Sequence, residues 1–226
     1  MNLKLQSLPQ LAGPQGDGYH GLAPKRALYM RPEAATALML VEKDTGGLVY
    51  TDIFRSAQSI LQAYTSKPGT QPVGYSFHGY GGAVDIDIDA CKAKLGTTYG
   101  GLITIMQARG FYCHRRDGEA GEGKSESWHF NYLGADADQL LATTTDDHVT
   151  WARPAEMMIQ RWYGPELQLT DDQVALLIPV AHATDVRDFQ RKWALTVDGV
   201  AGPRTQRTLA YVTATLDIET DPPVVT

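Results

Sequence analysis

Residues 84–89 read Val-Asp-Ile-Asp-Ile-Asp, an unbroken alternation that follows Ala83. Successive side chains of a strand point to opposite faces. The segment therefore predicts a strand with Ala83, Asp85, Asp87 and Asp89 on one face and Val84, Ile86 and Ile88 on the other, the apolar face inward. A chain that contains such a strand has to supply partner strands and an apolar layer to cover it, and the flanking sequence does so. Residues 48–53, LVYTDI, predict a strand, as do Gly110–His114 and Trp128–Leu133. Pro32 suits the first turn of a helix through about Asp44, which Gly46-Gly47 stops. Ala57, Ile60, Leu61 and Tyr64 recur at helical spacing, and a further helix is expected from about Tyr99 to Arg109. The first twenty-five residues, residues 66–74 and the glycine-rich stretch Arg115–Ser125 read as loops.

Between Gly134 and about Pro165 the periodicity weakens, and a module junction is expected there. Beyond it, Thr170-x-x-Gln173 has the form of a capping box, opening a helix that Pro179 kinks or ends. Val186, Phe189 and Trp193 mark a second helix, and Leu209, Val212 and Leu216 a third, with Asp198-Gly199 and Gly202-Pro203 between them. The expected fold class is α+β: a small antiparallel sheet flanked by helices over residues 1–150, then a small all-α three-helix module over 166–218.

Composition narrows the function classes. A net charge of −6 has the wrong sign for broad attraction to nucleic acid or anionic lipid. No stretch reaches the roughly 18 apolar residues of a membrane span. Two cysteines, Cys91 and Cys113, are too few for a disulfide scaffold or a four-thiolate zinc site, and read as buried thiols. The N-terminal residues lack the pattern of a secretory signal, so synthesis is expected in the cytoplasm.

The chemistry concentrates in two segments, Ser76-Phe-His78-Gly-Tyr-Gly81-Gly-Ala83-Val-Asp85 and Glu126-Ser-Trp128-His129. A zinc hydrolase needs about three protein ligands and an open fourth position. His78 and Asp85 supply an imidazole and a carboxylate on a loop-to-strand unit, and His129 a second imidazole. Glu126 is a candidate general base, provided the chain bends, because positions three apart on a straight strand face opposite ways. Trp128 lines the cleft or packs beside His129.

These two segments resemble the LAS-type zinc peptidases, the D-alanyl-D-alanine carboxypeptidases and L-alanyl-D-glutamate endopeptidases that act on bacterial wall peptides. Their signature is Ser-x-His-x-x-Gly-x-Ala-x-Asp followed by Glu-x-Trp-His. The resemblance covers about residues 25–135. It implies one Zn2+ per chain held by His78, Asp85 and His129, Glu126 as general acid and base, and Ser76 near the substrate. Arg55 and Ser56 match an Arg-Ser pair ahead of the family's first ligand. The resemblance makes Arg55 a catalytic cation aimed at an oxyanion or a substrate carboxylate, with Ser56 beside it as a substrate-binding residue. Separately, VRDFQRKWALTVDGVAGPRTQRTLA is similar to the three-helix peptidoglycan-binding repeat. Together the two resemblances imply a monomeric wall-peptide hydrolase. Without an export signal, it is expected to act as a phage endolysin that reaches the wall or periplasm through a holin-type membrane lesion. A D-alanyl-D-alanine carboxypeptidase and a non-catalytic, zinc-stabilised wall-binding virion protein are the alternatives.

Overall fold

The computed structural model describes residues 1, 3–8, 11, 28–67, 70–113, 127–142 and 152–220. Glu126 lies outside them, as do most of the N-terminal arm and the glycine-rich stretch. The described chain is mixed helix and antiparallel sheet. In order, the strands are β1 (Gln6–Ser7), β2 (Tyr29–Met30), β3 (Tyr50–Asp52), β4 (Ala83–Ile86), β5 (Phe111–Cys113) and β6 (His129–Tyr132). The helices are α1 (Pro32–Thr45), α2 (Ala57–Ser66), α3 (Ile88–Leu95), α4 (Tyr99–Gln107), α5 (Ala137–Ala142), α6 (Ala152–Tyr163), α7 (Asp171–Val180), α8 (Val186–Lys192) and α9 (Pro203–Thr220).

Local signals explain several boundaries. Pro32 opens α1, and Gly46, at φ 71°, closes it with its N–H on the Glu42 carbonyl. Ser56 caps α2 by accepting from Ser59 N–H. Both bonds of the Thr170–Gln173 capping box are made at the start of α7, and that helix ends one residue after Pro179.

Two expectations are corrected. The alternation predicts strand through Asp89, but β4 stops at Ile86. Asp87 turns the chain: its carboxylate accepts from Ala90 N–H and caps α3, with Asp89 in the first turn of that helix. Asp87 and Asp89 therefore leave the carboxylate face to Asp85. Secondly, the segment with weak periodicity contains α5 and α6. In α6, Ala155, Met158, Ile159 and Tyr163 form the buried stripe.

The main sheet has the order β3-β4-β6-β5, antiparallel throughout, with Asp85 opposite His129 and Ala83 opposite Asn131. One face carries Val84, Ile86, Phe130, Phe111 and Cys113 into an apolar cluster with Ala34, Leu38 and Val41 of α1 and Leu102 and Met106 of α4. Cys91 and Cys113 are buried free thiols in that cluster. On the opposite face Ala83 joins a second cluster, which also takes Ile60 of α2, Phe77 and Tyr80, Val174, Phe189, Leu209 and Tyr211 of the last three helices, and Trp193 just after α8. Those helices thus share a core with the sheet half of the chain. Polar contacts reinforce the junction. Arg207 Nε donates to the Gly74 carbonyl, Arg207 Nη1 pairs with Glu156, and Thr208 Oγ1 donates to the Val73 carbonyl at 3.2 Å. Among the described residues no helix is long and apolar enough to cross a membrane.

Candidate metal centre

Strand parity builds the site. Asp85 and His129 are directly opposed on β4 and β6, and both point away from the Val84–Phe130 cluster. His78 arrives from the 3₁₀ turn Phe77–Tyr80, which precedes β4. That turn folds back tightly because Gly81 adopts φ 69° and because a Cβ on Gly82 would sit 2.4 Å from the Phe77 ring.

Three acceptor atoms converge. His129 Nδ1 lies 2.8 Å from Asp85 Oδ1, His78 Nε2 lies 3.2 Å from the same oxygen, and the two nitrogens are 3.1 Å apart. The remaining nitrogens are committed elsewhere. Nδ1–H of His78 donates to the Ile53 carbonyl at 2.8 Å, and Nε2–H of His129 donates to Asn131 Oδ1 at 3.0 Å. In its neutral form, each imidazole so held turns a lone pair, not a proton, toward Asp85. Three lone-pair donors packed this closely suit a cation between them. Tetrahedral bonds of about 2.0 Å place donors roughly 3.3 Å apart, close to the triangle found here. The group could hold a metal ion, and two imidazoles with one carboxylate suit a divalent transition metal such as zinc. Among the described residues it is the only such cluster.

Asp85 is 3% exposed. Burial pushes its carboxyl up, but the His78 and His129 imidazoles, when protonated, attract and hydrogen-bond the carboxylate and hold it well below the usual range. Its outer oxygen, Oδ2, accepts from Arg55 Nη2 at 2.9 Å, and Arg55 Nε donates to Asp52 Oδ2 at 2.6 Å. Solvent reaches the cluster on the side of His129 and Arg55, whose side chains are 14% and 19% exposed.

The structure thus gathers His78, Asp85, His129 and Arg55. Arg55 lies against a candidate ligand, from which position it orients Asp85. Ser56 follows it and caps α2. Ser76, buried, precedes the turn that bears His78. Trp128 is 37% exposed beside His129. Residues 127 and 128 form a turn into β6, so the chain does bend ahead of His129, while Glu126 itself lies outside the described residues.

Three participants escape the sequence reading. Asn131 shares a strand face with His129 by period two, a signal the sequence does carry. Asp52 stands three residues ahead of Arg55, a spacing open to many readings. The Ile53 carbonyl is backbone and leaves no trace in residue identity. No protein-family model matches the chain, and no curated protein matches it either.

Proposed function

We propose that this chain is a zinc-dependent peptidase that hydrolyses peptide bonds in bacterial wall peptidoglycan, acting as an endolysin-type endopeptidase. The observation that carries the reading is the inward orientation of the His78, Asp85 and His129 acceptors, each imidazole fixed by an acceptor on its far nitrogen. Two imidazoles and one carboxylate leave a bound divalent ion with net positive charge, as the attack of water on an amide requires. When bound, zinc supplies Lewis acidity at the scissile carbonyl and toward the attacking water.

The chain's own groups do the rest. His78, Asp85 and His129 hold the ion, while the Ile53 carbonyl and Asn131 keep both imidazoles in the binding tautomer. Arg55 keeps the outer oxygen of Asp85 turned away from it. Glu126, three residues before His129 in sequence, takes a proton from the attacking water and returns it to the leaving amine. The exposed ring of Trp128 offers an apolar surface beside the reaction. The last three helices supply affinity for the same polymer and raise the local concentration of scissile bonds.

Release of dye from isolated, dye-labelled wall sacculi tests this reading, with metal content measured on the same preparations. The parent protein should solubilise the wall, and Glu126→Ala should retain zinc but lose activity by at least about a hundredfold, as expected for a general base. Parental activity in Glu126→Ala, or a zinc-loaded parent inert on sacculi of every wall chemistry, would overturn it. Mass spectrometry of the released fragments identifies the bond through its new termini.

A further inference from the structure

A cavity of about 370 Å³ opens among Arg31, Glu33, Tyr132, Met158, Arg161 and Trp162, between the start of α1, the end of β6 and α6. None of the three metal-site residues lines it. Its volume is within the range of small-ligand sites.

Arg31 gives the cavity its chemistry. The residue is only 9% exposed, and a guanidinium carries five N–H donors. Among the described residues, Nη1 donates to Tyr163 Oη at 3.0 Å and Nη2 makes a long 3.4 Å contact with Glu33 Oε1. Nε is 3.0 Å from Glu33 Oε2 but misaligned with it, so this buried N–H has no hydrogen-bond partner. The faces of the group, by contrast, are well held, with its central carbon 4.6 Å from the Trp162 ring centroid and 5.3 Å from that of Tyr163. Arg31 is thus fixed in position, and the edge that carries Nε and Nη2 meets a carboxylate, Glu33, that leaves the Nε–H without a hydrogen bond. A buried donor in that state is costly until an acceptor arrives.

The cavity walls say which acceptor fits. Arg161 is a second guanidinium on the lining, and Glu33, 55% exposed at its side chain, is the one carboxylate there among the described residues. The planar guanidinium fork matches a planar carboxylate. Met158 and Trp162 add apolar wall beside it. We propose that this cavity binds a carboxylate attached to a small apolar group, the chemistry of a short peptide ending in a free carboxylate. Arg31 and Arg161 hold the carboxylate, and Met158 and Trp162 contact the apolar part. The site is separate from the metal centre and does not rest on the peptidase reading.

Calorimetric titration of the full chain with N-acetyl-alanyl-alanine and with its C-terminal amide tests the proposal. Each titration is run before and after chelation, so that a carboxylate adding to a bound metal is recognised. The acid should bind saturably in both states. The amide should bind at least about tenfold more weakly, as should the acid to Arg31→Gln, the loss expected for a charge-assisted hydrogen bond. Glu33→Gln removes the acceptor that competes for Arg31, and should tighten binding of the acid several-fold, a gain that misfolding cannot mimic. No saturable binding, equal affinity for acid and amide, binding that disappears on chelation, or unchanged or weaker binding in Glu33→Gln would overturn the proposal.

Discussion

A neutral imidazole donates from one nitrogen and accepts at the other, so whatever holds the first determines what the second can do. At His78 the holder is the Ile53 carbonyl, which can only accept, and at His129 it is Asn131 Oδ1. Asn131 is therefore a positioning residue. Its loss leaves His129 free to rotate or to change tautomer. Asn131→Ala should weaken zinc retention roughly 10–100-fold, the effect typical of partners that orient a metal-bound histidine. Competition against a chromogenic chelator measures this, and an unchanged affinity would remove Asn131 from the site. Arg55, itself held by Asp52, plays the corresponding part for Asp85, engaging its outer oxygen while the inner one faces the imidazoles. The pattern Ser-x-His-x-x-Gly-x-Ala-x-Asp makes the candidate ligands His78 and Asp85 legible in the sequence. The residues that orient those ligands are less so, because they act through backbone carbonyls or from strands distant in the chain.

At the scale of elements, β4 and α3 meet at one residue. Asp87 continues the alternation that begins at Val84, and nothing in the period-two pattern marks it as different. Its carboxylate nevertheless bonds Ala90 N–H and starts a helix. A capping signal inside an alternating run is ambiguous, because aspartate serves both as the polar face of a strand and as a helix cap. By contrast, α1 and α7 are legible, since proline at a first turn and a reciprocal Thr–Gln box have few other uses. The sheet order, β3-β4-β6-β5, and its pairing of Asp85 with His129 depend on contacts forty-four residues apart that no local pattern encodes. Because Asp87 fixes where β4 ends, Asp87→Ala should cost about 1 kcal/mol of stability, the usual cost of losing an N-cap. Urea unfolding checks this, and a loss below about 0.3 kcal/mol would mean that the cap does not set the boundary.

For the whole molecule, the second apolar cluster is the decisive feature. It runs from Ile60 and Phe77 beside the candidate metal centre to Phe189 and Leu209 in the last helices. Tyr211 of α9 is fully buried, and its hydroxyl donates to the Arg55 carbonyl at 3.2 Å. A Cβ added to Gly79, next to His78, would lie 2.2 Å from that same hydroxyl. The C-terminal helices thus buttress the segments that present Arg55 and His78. Elements that share one core unfold together. Thermal unfolding of the metal-free chain, followed by near-ultraviolet and far-ultraviolet circular dichroism, should give coincident midpoints and a single calorimetric peak. Two resolved transitions would show that the helices are energetically independent of the sheet half.

His78, Asp85 and His129 converge on a point that a single metal ion would occupy. X-ray diffraction from crystals grown with zinc, collected on either side of the zinc absorption edge, tests that most directly. One anomalous peak should appear per chain, bonded to His78 Nε2, Asp85 Oδ1 and His129 Nδ1 at about 2.0–2.2 Å. Its absence there, with zinc bound elsewhere or not at all, would contradict the account.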